Sequence, residues 1–298
     1  MSQAESGVAA MILVTGATGH VGGAVVRWLA SRGHHVIAMA RDVDAGRRRL
    51  PVAVPLRVAD YEDPRALRAA FEGAGVLVLI SSDGEASAVM RHHANAIDAA
   101  AMAGVGRIVF TSILDTSESS PFYFASVYRD TERQLARCGV PSTVLACGLY
   151  SQFILDHWLS PCAASGELAL PASYGQFAPI SRSDVAAAVA SVAARPDKFA
   201  ETRILTGNRL LDFDEICGLY GKVSGKPLRY RSCSVEEYMS DASARIDKPW
   251  PHAFASLCAS IGEGRYNFTT NDFTAITHQK PESFLGFLAR TISAGSRL

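Results

Sequence analysis

The sequence has no lysine before Lys198, no net charge, no C-x-x-C pair and no apolar run long enough to cross a membrane. Lys plus Arg equals Asp plus Glu at 29 each, so the chain has no electrostatic footprint for nucleic acid or a membrane surface, and neither partner is expected. The six cysteines, at 138, 147, 162, 217, 233 and 258, show neither paired nor metal-ligand spacing. Reduced thiols in a cytoplasmic protein are expected, and no metal. The histidine pairs His34-His35 and His92-His93 are adjacent, which differs from the i, i+4 spacing that puts two ligands on one helical face. The N-terminal stretch MSQAESGVAA has no basic region ahead of an apolar one and reads as a frayed leader, not a signal peptide. There is no internal repeat and no low-complexity segment. At 298 residues and 48% hydrophobic composition, the chain is long enough for one large domain or for a domain plus a smaller lobe.

What is present begins at Met11–Arg32. Met11–Thr15 is a short apolar run suited to one buried strand. Gly16, Gly19 and Gly22 follow at the spacing G-x-x-G-x-x-G and lead into the helical pattern Val21–Arg32. Such glycines serve a tight turn, a close approach of backbone to a pyrophosphate, and close helix–strand packing. The helix start offers free N–H groups and the positive end of its dipole to the phosphates. Gly16, Thr18, Gly19, His20, Val21 and Gly22 are therefore expected to bind a dinucleotide. The second strand, His35–Ala40, ends in Arg41, with Asp42 after it and Arg47, Arg48 and Arg49 close by. An acid at this strand end binds the ribose hydroxyls of NAD, whereas a guanidinium pairs with a 2′-phosphate. NADP(H) is the expected cofactor.

The remaining chain alternates. Strands are expected at Leu56–Val58, Val76–Ile80, Arg107–Phe110 and Ser142–Ala146, and helices at Pro64–Phe71, Val89–Ala103 and Ser126–Cys138. This is an α/β pattern, a Rossmann-type doubly wound parallel sheet. The third strand ends at Asp60-Tyr61, a pair that in such folds often lies against the adenine. The fourth ends in Ser81-Ser82-Asp83-Gly84 and the fifth in Thr111-Ser112, on the carboxyl edge where ligands bind. Beyond Tyr150 the rhythm breaks. A short helix at Phe153–Leu159, stopped by Pro161, precedes irregular strands over Glu167–Pro179. The helix Val185–Ala194, capped by the run Ser181-Arg182-Ser183-Asp184, and the strand Thr202–Leu205 return to the sheet. Helices at Phe213–Ser224, Val235–Ala244, Pro251–Ile261 and Pro281–Ile292 complete a smaller, mostly helical lobe. The expected division is residues 11–150 and 181–209 for the cofactor domain, and 151–180 and 210–298 for the lobe that shapes a substrate cleft.

The segments ILVTGATGHVGG, VLVLISSDG, HHANAIDAAAMAGVGRIVFTS and CGVPSTVLACGLYSQF together resemble the NmrA-like group of atypical short-chain dehydrogenase/reductases. The nearest resemblance is to its quinone-reductase and triphenylmethane-reductase branches. It covers residues 11–160 well and the rest loosely. It implies an NADP(H)-binding Rossmann domain with a variable lobe, in either a reductase or a catalytically silent NADP(H) sensor that binds a protein partner. The usual short-chain dehydrogenase pair is Tyr-x-x-x-Lys, in which the lysine lowers the tyrosine pKa. The matching residues here are Phe124 and Tyr128, so that mechanism is excluded. The resemblance matches Glu132 to an acid common in the group, and Cys147-Gly148-Leu149-Tyr150 to a segment that usually contains Asn.

Candidate donors to a reduced oxygen are Ser112 and Tyr128, named as catalytic candidates, with Thr111, Tyr123 and Tyr150 around them. Thr111, Tyr150, Ser81, Ser82, Asp60 and Tyr61 are assigned to the cofactor. With no cation beside it, the Tyr128 hydroxyl is expected to titrate near its ordinary value of about 10. His93 and Asn95 are expected to hold helix to loop. Phe153, His157 and Trp158 suit either an aromatic substrate pocket or a buried helix. The expected function is hydride transfer from NADPH directly to a quinone or another conjugated or aromatic small molecule. The alternatives are a silent NADP(H)-binding regulator with a protein partner, and a redox-neutral biosynthetic enzyme; the assemblies left open are a homodimer and a complex with a regulatory protein partner.

Overall fold

The computed structural model describes residues 10–295, so all of the expected leader except Ala10 lies outside the described residues. Its strands are β1 (Ile12–Val14), β2 (Val36–Ala40), β3 (Leu56–Val58), β4 (Val76–Leu79), β5 (Arg107–Ile113), β6 (Ser142–Cys147), β7 (Glu167–Leu170), β8 (Arg203–Leu205) and β9 (Arg229–Ser232). The helices of the sheet region are α1 (His20–Ser31), α2 (Val43–Arg49), α3 (Pro64–Phe71), α4 (Ala86–Met102) and α5 (Ala125–Arg137). A helical run follows as α6 (Ser151–Phe153), a π-helical stretch Ile154–Leu159, and α7 (Ser160–Cys162). Then come α8 (Arg182–Ala194), α9 (Phe213–Ser224), α10 (Val235–Ala242), α11 (Trp250–Gly262), α12 (Asp272–Thr277) and α13 (Phe284–Gly295).

Seven strands form one parallel sheet in the order β3-β2-β1-β4-β5-β6-β8. β1 sits between β2 and β4, with Ile12 paired to both Val36 and Val76. The strand order reverses there, and that opens a crevice at the carboxyl ends of the strands. Both faces are covered, so the central strands are apolar throughout: Val76 is 2% exposed, and Leu77, Val78 and Leu79 are fully buried. Alternation assigns their side chains to two layers. Val14, Val76, Val78 and Val109 pack with α1 and α8, while Leu13, Leu77, Leu79 and Phe110 pack with α3 and α4. Burial of each such side chain stabilises the fold by about 1.5–3 kcal/mol relative to exposure. A third apolar cluster, including Trp158, Phe177, Phe213 and Cys258, fills the region of α6 to α7, α9 and α11.

The three glycines of the turn have three distinct environments. Gly16 has φ +57°, a left-handed backbone that favours glycine. A Cβ on Gly19 would meet only the Gly16 carbonyl oxygen, at 3.2 Å. A Cβ on Gly22 would lie 2.3 Å from the Gly16 oxygen and 3.0 Å from that of Thr15. Gly22 is thus the residue that lets α1 approach β1.

Local structure adds to or departs from the sequence expectation in several places. The Arg47–Arg49 stretch, given no element in the sequence reading, belongs to helix α2; Asp42 caps it by accepting from the Ala45 N–H at 2.6 Å. The helix expected to stop at Pro161 continues to Cys162, because Pro161 falls in the first turn of α7, where a missing N–H is tolerated. The irregular stretch from Glu167 contains one regular strand, β7, paired in parallel with β9 (Glu167 to Arg229). β9 and α12 were not expected: the first reads RYRS with no apolar alternation, and the second is a single short helix.

The glycine geometry predicts unequal substitution costs. Gly22→Ala forces a methyl into backbone and should cost about 1–3 kcal/mol in chemical denaturation, whereas Gly19→Ala should cost less.

Candidate active site

A cleft of about 590 Å³ runs along the carboxyl edge of the sheet. It is lined from the ends of six consecutive sheet strands, β1 to β6, and closed by residues of α11 and of the loop before α5. The residues assigned from the sequence to the cofactor and to catalysis meet there: Gly16, Thr18, Gly19, His20, Val21, Gly22, Arg41, Asp60, Tyr61, Ser81, Ser82, Thr111, Ser112, Tyr128 and Tyr150.

At one end, α1 points its N-terminus into the cleft. Gly19 is its N-cap, no side chain caps the helix, and no acid lies in its first turn. The other long helices that begin with Asp or Ser, such as α8 and α9, are capped by that side chain. Uncapped N–H groups with the dipole behind them form an anion site. Arg41 is exposed at the end of β2 and lines the cleft. The acid beside it, Asp42, is occupied in capping α2. Arg49 donates to the Thr18 carbonyl at 3.0 Å and so fastens α2 to the glycine turn. Arg47 and Arg48 are exposed on α2 and do not line the cleft.

The Tyr61 hydroxyl lies 2.7 Å from Thr15 Oγ1 and 2.9 Å from the Ile80 carbonyl, and burial pushes its phenol up. Its ring stacks on His92 at 5.7 Å. His92 bridges Ser82 Oγ at 3.0 Å and Glu62 at 2.9 Å. Glu62 also accepts two bonds from Arg91, and these donors, Arg91 first, hold its carboxyl down at about 2. Asn95 donates to the Tyr61 carbonyl at 2.8 Å, the helix-to-loop tie expected for it.

At the centre lies a chain of polar side chains inside apolar walls. Tyr128 Oη is 2.6 Å from Ser81 Oγ, which is 3.0 Å from His93 Nε2. His93 Nδ1 is 2.8 Å from Thr131 Oγ1, and Thr131 donates to the Val127 carbonyl at 2.9 Å. The Ser81 N–H donates to Thr111 Oγ1 at 3.2 Å, which pins the loop after β4 to β5. His93 is fully buried, and loss of hydration, with a smaller repulsion from His92, brings its pKa down to about 4. The expectation of an ordinary Tyr128 hydroxyl is corrected: burial raises it to about 12, against the opposing Ser81 hydrogen bond.

Ser112 lines the same cleft but is 3% exposed, and its hydroxyl donates to Glu132 at 2.5 Å. Its proton is therefore engaged away from a substrate. Cys147 and Tyr150 sit across from Tyr128; burial pushes the thiol up to about 12 and raises Tyr150 as well. Phe122, Phe124, Phe153, Trp250, Phe254 and Leu257 form an aromatic and aliphatic wall. Of the earlier aromatic candidates, Phe153 lines the cleft. Trp158 is 1% exposed in the core, and neither His157 nor Tyr123 is part of the lining. Tyr123 instead donates to Glu85 at 3.1 Å.

The wall is fastened by Asp115, a carboxylate only 5% exposed. It accepts from Ser120 at 2.5 Å in its own loop and from Ser260 of α11 at 2.6 Å, with Arg265 at 3.8 Å.

A family model described as the NmrA-like family matches residues 9–269. The chain belongs to the NmrA-like family. Among curated members, quinone oxidoreductase 2 of Escherichia coli (strain K12) is 32% identical over 257 residues, which are 85% of this chain and 87% of that protein. The crystal structure of an NADPH-dependent quinone oxidoreductase from E. coli complexed with NADPH has a TM-score of 0.87 to this chain, with 28% identity over 96% of this chain and 100% of the other. Citrobacter sp. triphenylmethane reductase complexed with NADP(H) has a TM-score of 0.86 and 27% identity, covering 94% and 99%.

Sequence reasoning missed several contributors to this NmrA-like cleft, among them Phe122 and Tyr266. Arg182, Trp250, Phe254 and Leu257 line it from α8 and α11. Each belongs to a helix whose burial was legible, but nothing in local periodicity says which sheet edge that helix overhangs.

The buried neutral His93 predicts a pH effect on stability. In the unfolded chain it takes a proton near pH 6.5, and in the native state only near pH 4. Its contribution is therefore present above about pH 6.5 and is lost as pH falls toward 4. Denaturation midpoints from pH 7 to 4 should fall less steeply in His93→Gln than in the parent.

Proposed function

We propose that the protein is an NADPH-dependent reductase that transfers hydride directly to a quinone or a similar flat conjugated acceptor. The observation that carries this reading is one continuous cleft. An uncapped helix start and Arg41 lie at one end and an aromatic wall at the other. The similarity to a quinone reductase and to a triphenylmethane reductase supports it.

The residues fit the dinucleotide. Gly19 leaves its Cβ position open apart from one carbonyl oxygen, so backbone can approach a pyrophosphate there. Gly16, Thr18, Gly19, His20, Val21 and Gly22 would hold the phosphates, Arg41 the 2′-phosphate, and Asp60 and Tyr61 the adenosine side. Bound NADPH supplies a hydride. The chain then has to orient the acceptor and keep water from the transfer, tasks for Phe122, Phe153, Trp250 and Phe254. Neither Tyr128 nor Cys147 is a ready proton source near neutral pH, since burial holds both at about 12. An activated acceptor suits this site, because its reduced oxygen takes a proton from water without enzymic help.

NADPH oxidation against a panel of quinones and simple ketones tests the reading: quinones should be reduced and simple ketones left. Tight NADPH binding with no turnover of any acceptor would favour the silent regulator instead. By fluorescence titration NADPH should bind more tightly than NADH, and Arg41→Ala should lose about 1.5–3 kcal/mol of NADPH affinity with little change for NADH. Tyr128→Phe should lower quinone turnover only about tenfold, roughly 1.4 kcal/mol of barrier. A thousandfold loss would identify Tyr128 as a general acid.

A further inference from the structure

The chain Tyr128–Ser81–His93–Thr131 ends inside the protein. Its last member, Thr131, is fully buried, and its hydroxyl donates to the Val127 carbonyl one turn back in α5. That direction leaves a lone pair of Thr131 Oγ1 facing His93 Nδ1 at 2.8 Å, so the ring proton belongs on Nδ1. Nε2 is then a bare acceptor, fully buried, with Ser81 Oγ 3.0 Å away as its donor. The same hydroxyl lies 3.1 Å from the Ser82 carbonyl. Ser82 is only partly buried, so water can serve that oxygen, whereas leaving the buried Nε2 unpaired would cost about 1–3 kcal/mol, and Ser81 therefore gives its only proton to Nε2. A hydroxyl has one proton to give. Ser81 therefore accepts from Tyr128 across their 2.6 Å separation, and the tyrosine proton points inward.

We propose that His93 and Thr131 are positioning residues that fix this direction, so that Tyr128 faces the cleft as a hydrogen-bond acceptor and not as a proton donor. The inference rests on the cleft being the NADPH and acceptor site proposed above. It deepens that reading: the ligand group that meets Tyr128 is a donor, such as a hydroxyl of the dinucleotide, and the proton for the reduced acceptor comes from solvent. The chain cannot conduct a proton to Tyr128, because no exposed group refills it from the Thr131 end.

Nitrogen NMR of the ligand-free protein with labelled histidine reads the tautomer, with His93 assigned by comparison with His93→Gln. Nδ1 should be the protonated nitrogen at pH 7, and a proton on Nε2 would overturn the proposal. Thr131→Val keeps the shape but removes the Nδ1 acceptor, so the proton should move to Nε2 and the chain should reverse. Thr131→Ser should keep the parent tautomer. NADPH should bind Thr131→Val about tenfold more weakly, the loss of about one neutral hydrogen bond, and Thr131→Ser within about twofold of the parent. A tautomer and an affinity unchanged in Thr131→Val would also overturn it. If Thr131→Val does not melt cooperatively, the parent tautomer alone decides. Were NADPH not to bind the parent at all, the proposed function would fall, while the tautomer still decides the direction of the chain.

Discussion

The approach of α1 to β1 is the constraint on which the cleft depends. At Gly22 there is no room for even one carbon between the helix and the carbonyls of Thr15 and Gly16. That proximity places the helix axis against the centre of the sheet, at the point where strand order reverses. Because the N-terminus arrives with Gly19 as its cap, its N–H groups remain available to a ligand. An Asp or Ser at that position would satisfy the helix internally and weaken its attraction for phosphate.

The chemistry at the other end follows from burial. Tyr128, Tyr150, Cys147 and His93 are all shifted toward their neutral forms by loss of hydration. The middle of the cleft thus holds polar groups kept in their neutral forms. On the function proposed above, such a site would suit acceptors that need electrons more than they need acid.

Much of this was legible in the chain. The glycine turn, Arg41 and the strand-end serines and threonines declare themselves because strand periodicity and glycine spacing are local signals, and all of them line one cleft. Other features are set by tertiary contact. The role of Asp42 depends on α2, a helix with a central glycine and no apolar stripe. The Tyr128 titration depends on how deeply α5 buries it, and no window of sequence contains that depth. β9 is held by pairing with β7 some sixty residues earlier and by little of its own composition. Ser112 shows the limit most plainly: its place at a strand end was readable, but Glu132, twenty residues on, decides where its hydroxyl points.

Asp115 has a mechanical consequence. One carboxylate grips the loop that carries Phe122 and, through Ser260, the helix that carries Trp250, Phe254 and Leu257. Two sides of the aromatic wall thus share this rivet, backed by the Tyr123 N–H donating to Ser256 Oγ of α11 at 2.9 Å. The mouth of the cleft cannot widen by swinging the loop alone or the helix alone without tearing that rivet. On the proposed reading, acceptors of different size would be admitted by turning aromatic rings in place, so tolerance for substrate shape would reside in side chains and not in hinged backbone.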